Sequence, residues 1–143
     1  MANVFFHYLQ VKKGLNNTTK IKKIVINIFD EQGVTIDRVD YIFCLDKHLL
    51  NINRKFLCHD YYTDIITFSL EEKDSPIKGE IYISIERVKE NAKIFDVSIK
   101  EELLRVVFHG ALHLCSFNDT TAGQKKRMKE KEAFYLKQYK CFT

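Results

Sequence analysis

At 143 residues, 45% hydrophobic and 29% charged, the chain reads as one folded domain, 1–143, able to bury about two thirds of its extended surface. Five glycines and one proline exclude a fibrous or flexible chain, and no stretch approaches the roughly 18 consecutive apolar residues of a membrane helix. The net charge of +4 is uneven, because residues 121–143 hold seven Lys or Arg against Glu130 and Glu132, leaving −1 for residues 1–120. Residues 1–6 lack the basic-then-apolar pattern of a secretory signal, so a cytoplasmic protein without membrane contact is expected. Cys44, Cys58, Cys115 and Cys141 form no Cys-x-x-Cys pair, which leaves reduced thiols as the expectation.

Val4 to Leu9 is aromatic-rich and weakly alternating, the pattern of a first strand. Ile21, Ile24, Val25, Ile28 and Phe29 at three-and-four spacing predict an amphipathic helix within Asn17 to Gln32, capped by Thr18 or Thr19 and ending near Gly33. Val39 to Leu45 reads as a strand, and Asp46 as the cap of a helix from Lys47 to Leu57 packing Leu49, Leu50, Ile52, Phe56 and Leu57. Ile65 to Leu70 is a strand, Glu71 to Lys78 a polar connection, and Gly79 to Ser84 another strand with Ile81 and Ile83 on one face. A helix from Glu86 to about Phe95 follows.

Ser98 and Glu101, three apart, form a capping-box signature ahead of an apolar helix running to about Ser116. Leu103, Leu104, Val107, Phe108, Ala111, Leu112 and Cys115 are its expected core residues. Thr121 and Gln124 repeat the spacing and open a last helix, with Met128, Ala133, Phe134, Leu136 and Tyr139 as candidate packing residues. Between the two helices lies only the corner Phe117 to Thr120. The fold class expected is α+β: a small mixed sheet of about four strands packed with about five helices.

His109 and His113 carry the chemistry. A spacing of four puts both imidazoles on one face of the helix, one turn apart, and Asp119 follows where the chain can turn back. Two imidazoles and a carboxylate are good ligands for one divalent ion, zinc being the first choice, with a coordination position left open. The other reading is a pair of hydrogen-bonded histidines tying the helix to the sheet. Gly110 stands where His-Glu-x-x-His hydrolases keep their general base, so that arrangement is excluded. A mid-helix Gly costs about 1 kcal/mol relative to Ala, which points to close packing or substrate approach. Lys125, Lys126, Arg127 and Lys129 suggest a polyanionic substrate held by its phosphates, or simply the solvated face of a helix.

Three stretches resemble a known family, the YbeY-type endoribonucleases. The run His109-Gly110-Ala111-Leu112-His113-Leu114-Cys115-Ser116-Phe117-Asn118-Asp119 is similar to that family's His-Gly-x-Leu-His-Leu-x-Gly-Tyr-Asp-His signature. Thr63-Asp64-Ile65-Ile66-Thr67-Phe68 and Gly79-Glu80-Ile81 match two further family stretches. The resemblance implies a single-strand-specific, metal-dependent endoribonuclease of rRNA maturation, hydrolysing RNA with metal-activated water. His109, His113 and Asp119 would hold one divalent ion, with Zn2+ the expected metal, and single-stranded or ribosomal RNA, or the small ribosomal subunit or its assembly factors, would be the partner. His59, Asp64 and Glu80 are the other residues that could line the cleft. The chain departs from the family at Asp119, where the third ligand is usually His, at Ser116, where it has Gly, and at Leu57, where it has an arginine. Another metal-dependent hydrolase, or a non-catalytic assembly factor with a structural metal, is the alternative.

Overall fold

A computed structural model describes residues 3–12 and 15–142. Met1 and Ala2, part of the stretch read for a secretory signal, lie outside the described residues. The elements in chain order are β1 (Val4–Tyr8), α1 (Thr18–Glu31), β2 (Ile36–Cys44), α2 (Asp46–Leu57), β3 (Ile65–Ser69), β4 (Ile77–Ser84), α3 (Ile85–Phe95), α4 (Ile99–Leu114) and α5 (Ala122–Cys141). The sheet order is β1-β2-β4-β3, with β1, β2 and β4 parallel and β3 antiparallel on the edge. Parallel neighbours need crossovers, which α1 provides between β1 and β2. Among the described residues this is the mixed four-stranded sheet with five helices expected of the sequence.

Strand alternation decides which helix covers which face. Ile81 and Ile83 of β4 enter the main core with Val39, Tyr41 and Phe43 of β2 and the apolar stripes of α1 and α4. Tyr82, between them, joins a smaller cluster of Cys44, Leu49, Ile52 and Ile66 with α2. Two glycines bring α4 onto the sheet. A Cβ on Gly110 would lie 2.9 Å from Ile81 Cγ2 and 3.0 Å from Ile65 Cδ1, and one on Gly79 would lie 2.8 Å from Leu114 Cδ1. Close packing is therefore the reason for glycine inside this helix. Tyr41 Oη donates to the Val107 carbonyl at 2.7 Å, locking the helix to the central strand. Burial lifts the Tyr41 pKa above its ordinary value, so the hydroxyl keeps its proton.

Several local expectations are corrected. Neither Thr18 nor Thr19 caps α1; the cap is Asn17 at φ 58°, a left-handed conformation Asn tolerates. Asp46 is the first residue of α2 rather than its cap. Its carboxylate accepts from Ser84 Oγ at 2.6 Å and from Arg87 Nη2 at 2.8 Å, joining α2 to α3. Burial pushes the Asp46 pKa up, but these two bonds outweigh it and hold the carboxyl below its usual range. Phe56 and Leu57 are exposed, whereas Asn53 is buried and donates from Nδ2 to the Tyr61 carbonyl at 2.9 Å. β4 begins at Ile77 because pairing with Ile36 extends the ladder into the expected connection.

Ser98 caps α4 by accepting from the Glu101 N–H at 3.0 Å, but the Glu101 carboxylate goes to Lys140 at 2.9 Å, so only half the box forms. Thr121 and Gln124 make the complete box on α5. The buried stripe of α5 is Met128, Glu132, Tyr135 and Tyr139; Ala133 and Phe134 face solvent. All four cysteines are free, and Cys115 is only partly buried. Among the described residues no helix is long and apolar enough to cross a membrane.

Candidate metal centre

Arg105, His109 and His113 recur every four residues along α4 and share one of its faces. Beyond Leu114 the chain reverses sharply. Ser116 adopts φ 72°, the position a glycine usually takes, and its N–H bonds the His113 carbonyl at 2.9 Å. The corner is then held from α5. Gln124 Oε1 accepts from the N–H groups of Thr120 and Thr121 at 3.2 and 3.1 Å, and the Arg127 guanidinium lies 5.4 Å from the Phe117 ring centroid. This folds Asp119 back over the histidines.

Asp119 Oδ2 is 3.4 Å from His109 Nε2 and 3.5 Å from His113 Nε2. The donor atoms of all three residues lie within 4.8 Å of one another. Tetrahedral zinc bonded at about 2.0–2.1 Å spaces its ligand atoms roughly 3.3–3.4 Å apart, so the two measured edges already have the span of a coordination polyhedron. Burial, and then the neighbouring His109, lower the His113 pKa; Asp119 opposes them only in part. His113 therefore keeps a free lone pair to lower pH than an ordinary histidine. Cys115 is not in this converging group, and burial pushes its thiol up to about 12.

The three donors open on a cleft of about 420 Å³ that is also lined by Thr63, Asp64 and Arg105. Asp64 Oδ2 accepts from Asn91 Nδ2 at 3.4 Å and lies 3.8 Å from the Arg105 guanidinium. The other residues singled out in the sequence lie elsewhere. His59 is on an exposed loop, its Nδ1 3.0 Å from Tyr61 Oη. Glu80 shares the parity of Tyr82, whose hydroxyl donates to it at 3.0 Å, and so stands on the sheet face turned away from α4. Lys125, Lys126 and Lys129 line a shallow groove on the outside of α5, and Arg127 is engaged with Phe117.

Three residues that sequence reasoning passed over are built into the centre. Glu102, only 1% exposed, holds Arg105 with both oxygens, at 2.9 Å to Nε and 2.7 Å to Nη2. Arg105 Nη1 donates at 3.1 Å to Oε1 of Glu132 from α5. Glu132 Oε2 then lies 2.5 Å from His109 Nδ1. Burial opposes the charge on Arg105, but Glu102 and Glu132 outweigh it and raise its pKa. The spacing of Arg105 from His109 was a readable signal; nothing local pointed to Glu132.

Residues 7–140 match the family model for Endoribonuclease YbeY. The chain belongs to the YbeY endoribonuclease family. YbeY relatives include that of Cytophaga hutchinsonii, 43% identical over 129 residues and 90% of each chain. The Endoribonuclease YbeY of Amoebophilus asiaticus is 38% identical over 135 residues, covering 94% of this chain and 92% of its own. That of Parabacteroides distasonis is 47% identical over 105 residues, 73% of each. The solution structure of TM1509 from Thermotoga maritima superposes with a TM-score of 0.66 at 30% identity, over 94% of this chain and 88% of that one. Set beside the YbeY signature, the chain keeps both histidines, has a carboxylate at Asp119, and has Arg105 rather than Leu57 presenting to the cleft.

Proposed function

We propose that this protein is a metal-dependent endoribonuclease that hydrolyses single-stranded RNA in ribosomal RNA maturation, acting on or near the small ribosomal subunit. The observation that carries the reading is the convergence of His109, His113 and Asp119 at coordination spacing in a chain of this family. When bound there, a divalent ion supplies Lewis acidity toward a phosphoryl oxygen and a lowered pKa for coordinated water. His109 and His113 offer Nε2 lone pairs, and Asp119 offers Oδ2. Zinc suits two imidazoles and a carboxylate.

The remaining cleft residues define what this chain itself contributes. Arg105 is committed to Glu102 and Glu132 and lies near Asp64, so its charge is largely answered within the protein. Attraction for an RNA phosphate therefore depends on the ion. Gly110 carries no side chain and is pressed against Ile81 and Ile65, so a base cannot come from the position used by His-Glu-x-x-His hydrolases.

The test is metal analysis of the purified protein, then cleavage of single- and double-stranded RNA with chelator and after zinc is restored. Single strands should be cut only in the metal-loaded protein. The His113→Ala variant should lose zinc affinity and cleavage together while α4, capped and packed independently of this ring, stays folded. A folded H113A protein that cuts at the wild-type rate under metal control would falsify the reading. If removing the ligand unfolds the chain, the metal is structural instead.

A further inference from the structure

Glu132 is buried, at 4% exposure, in direct contact with His109, and its two oxygens face different partners. Oε1 receives the Arg105 Nη1–H at 3.1 Å, and Oε2 meets His109 Nδ1 at 2.5 Å. We propose that Glu132 is a positioning residue which selects the His109 tautomer with Nε2 free for the metal, and that the Glu102–Arg105 pair fixes how Glu132 is presented. The inference rests on the metal-centre reading above.

A carboxylate is an acceptor only, so the hydrogen between Oε2 and Nδ1 belongs to the imidazole. In a neutral ring that leaves Nε2 bare, and Nε2 is the atom facing Asp119 at 3.4 Å. Asp119 competes for the opposite tautomer, since its carboxylate could accept a hydrogen from Nε2. The shorter contact decides the contest: 2.5 Å to Glu132 against 3.4 Å to Asp119. Ring hydrogen bonds of this kind orient metal-ligating histidines and raise their basicity.

Arg105 makes the arrangement directional. Its guanidinium has donors only, and the two bonds from the buried Glu102 keep it from rotating away. In Glu132→Gln, the amide oxygen must therefore turn to Arg105, which leaves the amide nitrogen facing His109 Nδ1. A donor there forces the imidazole hydrogen onto Nε2 and blocks the metal-binding atom. One isosteric change should thus invert the tautomer while preserving the packing.

Two measurements test this. Long-range proton–nitrogen spectra of metal-free protein with labelled histidine, recorded well above the ordinary imidazole pKa, should show His109 with hydrogen on Nδ1 in the wild type and on Nε2 in E132Q. Competition with a chromophoric chelator should show zinc affinity about 10–100-fold weaker in E132Q, the usual effect of losing such a partner. Hydrogen on Nε2 in the wild type overturns the proposal, and this result does not depend on how E132Q folds. So does wild-type zinc affinity in a folded E132Q protein. A wild type without zinc affinity would overturn the metal centre itself and this inference with it, whereas a zinc-binding wild type with an unaffected E132Q overturns the role of Glu132 alone.

Discussion

Helices α4 and α5 both reach the cleft of His109, His113 and Asp119, yet they are held by different means. α4 buries ten of its 16 residues, nearly all apolar, whereas α5 buries four of 20, one of them Glu132. The position of α4 is thus set by area removed from water, spread over many side chains. That of α5 rests on three core residues, Met128, Tyr135 and Tyr139, together with a few directional bonds. Tyr135 Oη donates to Glu31 at 2.7 Å, Lys140 pairs with Glu101 at 2.9 Å, and Glu132 joins Arg105 and His109. The helix that carries His109 and His113 is the rigid partner, and the one that carries Glu132 is the lightly anchored partner.

The contrast should be largest for matched aromatic truncations. Phe108→Ala empties a fully buried site on α4 and should cost about 3–5 kcal/mol in urea unfolding. Phe134→Ala, on the half-exposed side of α5, should stay within about 0.5 kcal/mol. Similar losses at the two positions would break the comparison. Gly110→Ala asks how tightly α4 is pressed down. Its methyl would meet Ile81 at 2.9 Å, an overpacking of about 1–3 kcal/mol relieved by about 1 kcal/mol of helix propensity. A net loss of roughly 1 kcal/mol is expected, and a gain in stability would mean the helix can lift from the sheet.

The α4 half of the site could be read from sequence because its signals are contiguous. The Ser98 cap, the apolar stripe and the two histidines sit in one run with one period, and the corner to Asp119 is too short to wander. The phase of α5 could not be read so. Its buried positions mix Met128, Glu132, Tyr135 and Tyr139, while Ala133 and Phe134, the more apolar choices, point outward. A charge becomes a core residue only through partners, and Arg105 is 27 positions away. Glu80 failed for a different reason. Its alternation with Ile81 and Ile83 was plain, but which sheet face α4 covers is a tertiary fact.

Smaller effects sharpen the same division. Thr121→Ala removes half of the capping box and should cost about 1 kcal/mol, with faster amide exchange in the first turns of α5 and none in α4. Equal acceleration in both helices would show that they open as one unit. Removing the charges of Lys125 and Lys126 together should leave stability unchanged, since both side chains are exposed. It should lower the salt slope of single-strand RNA binding by up to about 1.4 if phosphates track along the outside of α5. An unchanged slope would assign the strand to another surface.

The order of these helices along the chain also sets a sequence in time. During synthesis His109 is added 23 residues ahead of Glu132, whose carboxylate meets its ring. At ordinary elongation rates of about 5–20 residues per second, that is an interval of roughly one to five seconds. Until α5 docks, no carboxylate meets Nδ1 of His109 and the ring is free to turn. The contact between His109 and Glu132 is therefore among the last the molecule makes, completed only when α5 docks.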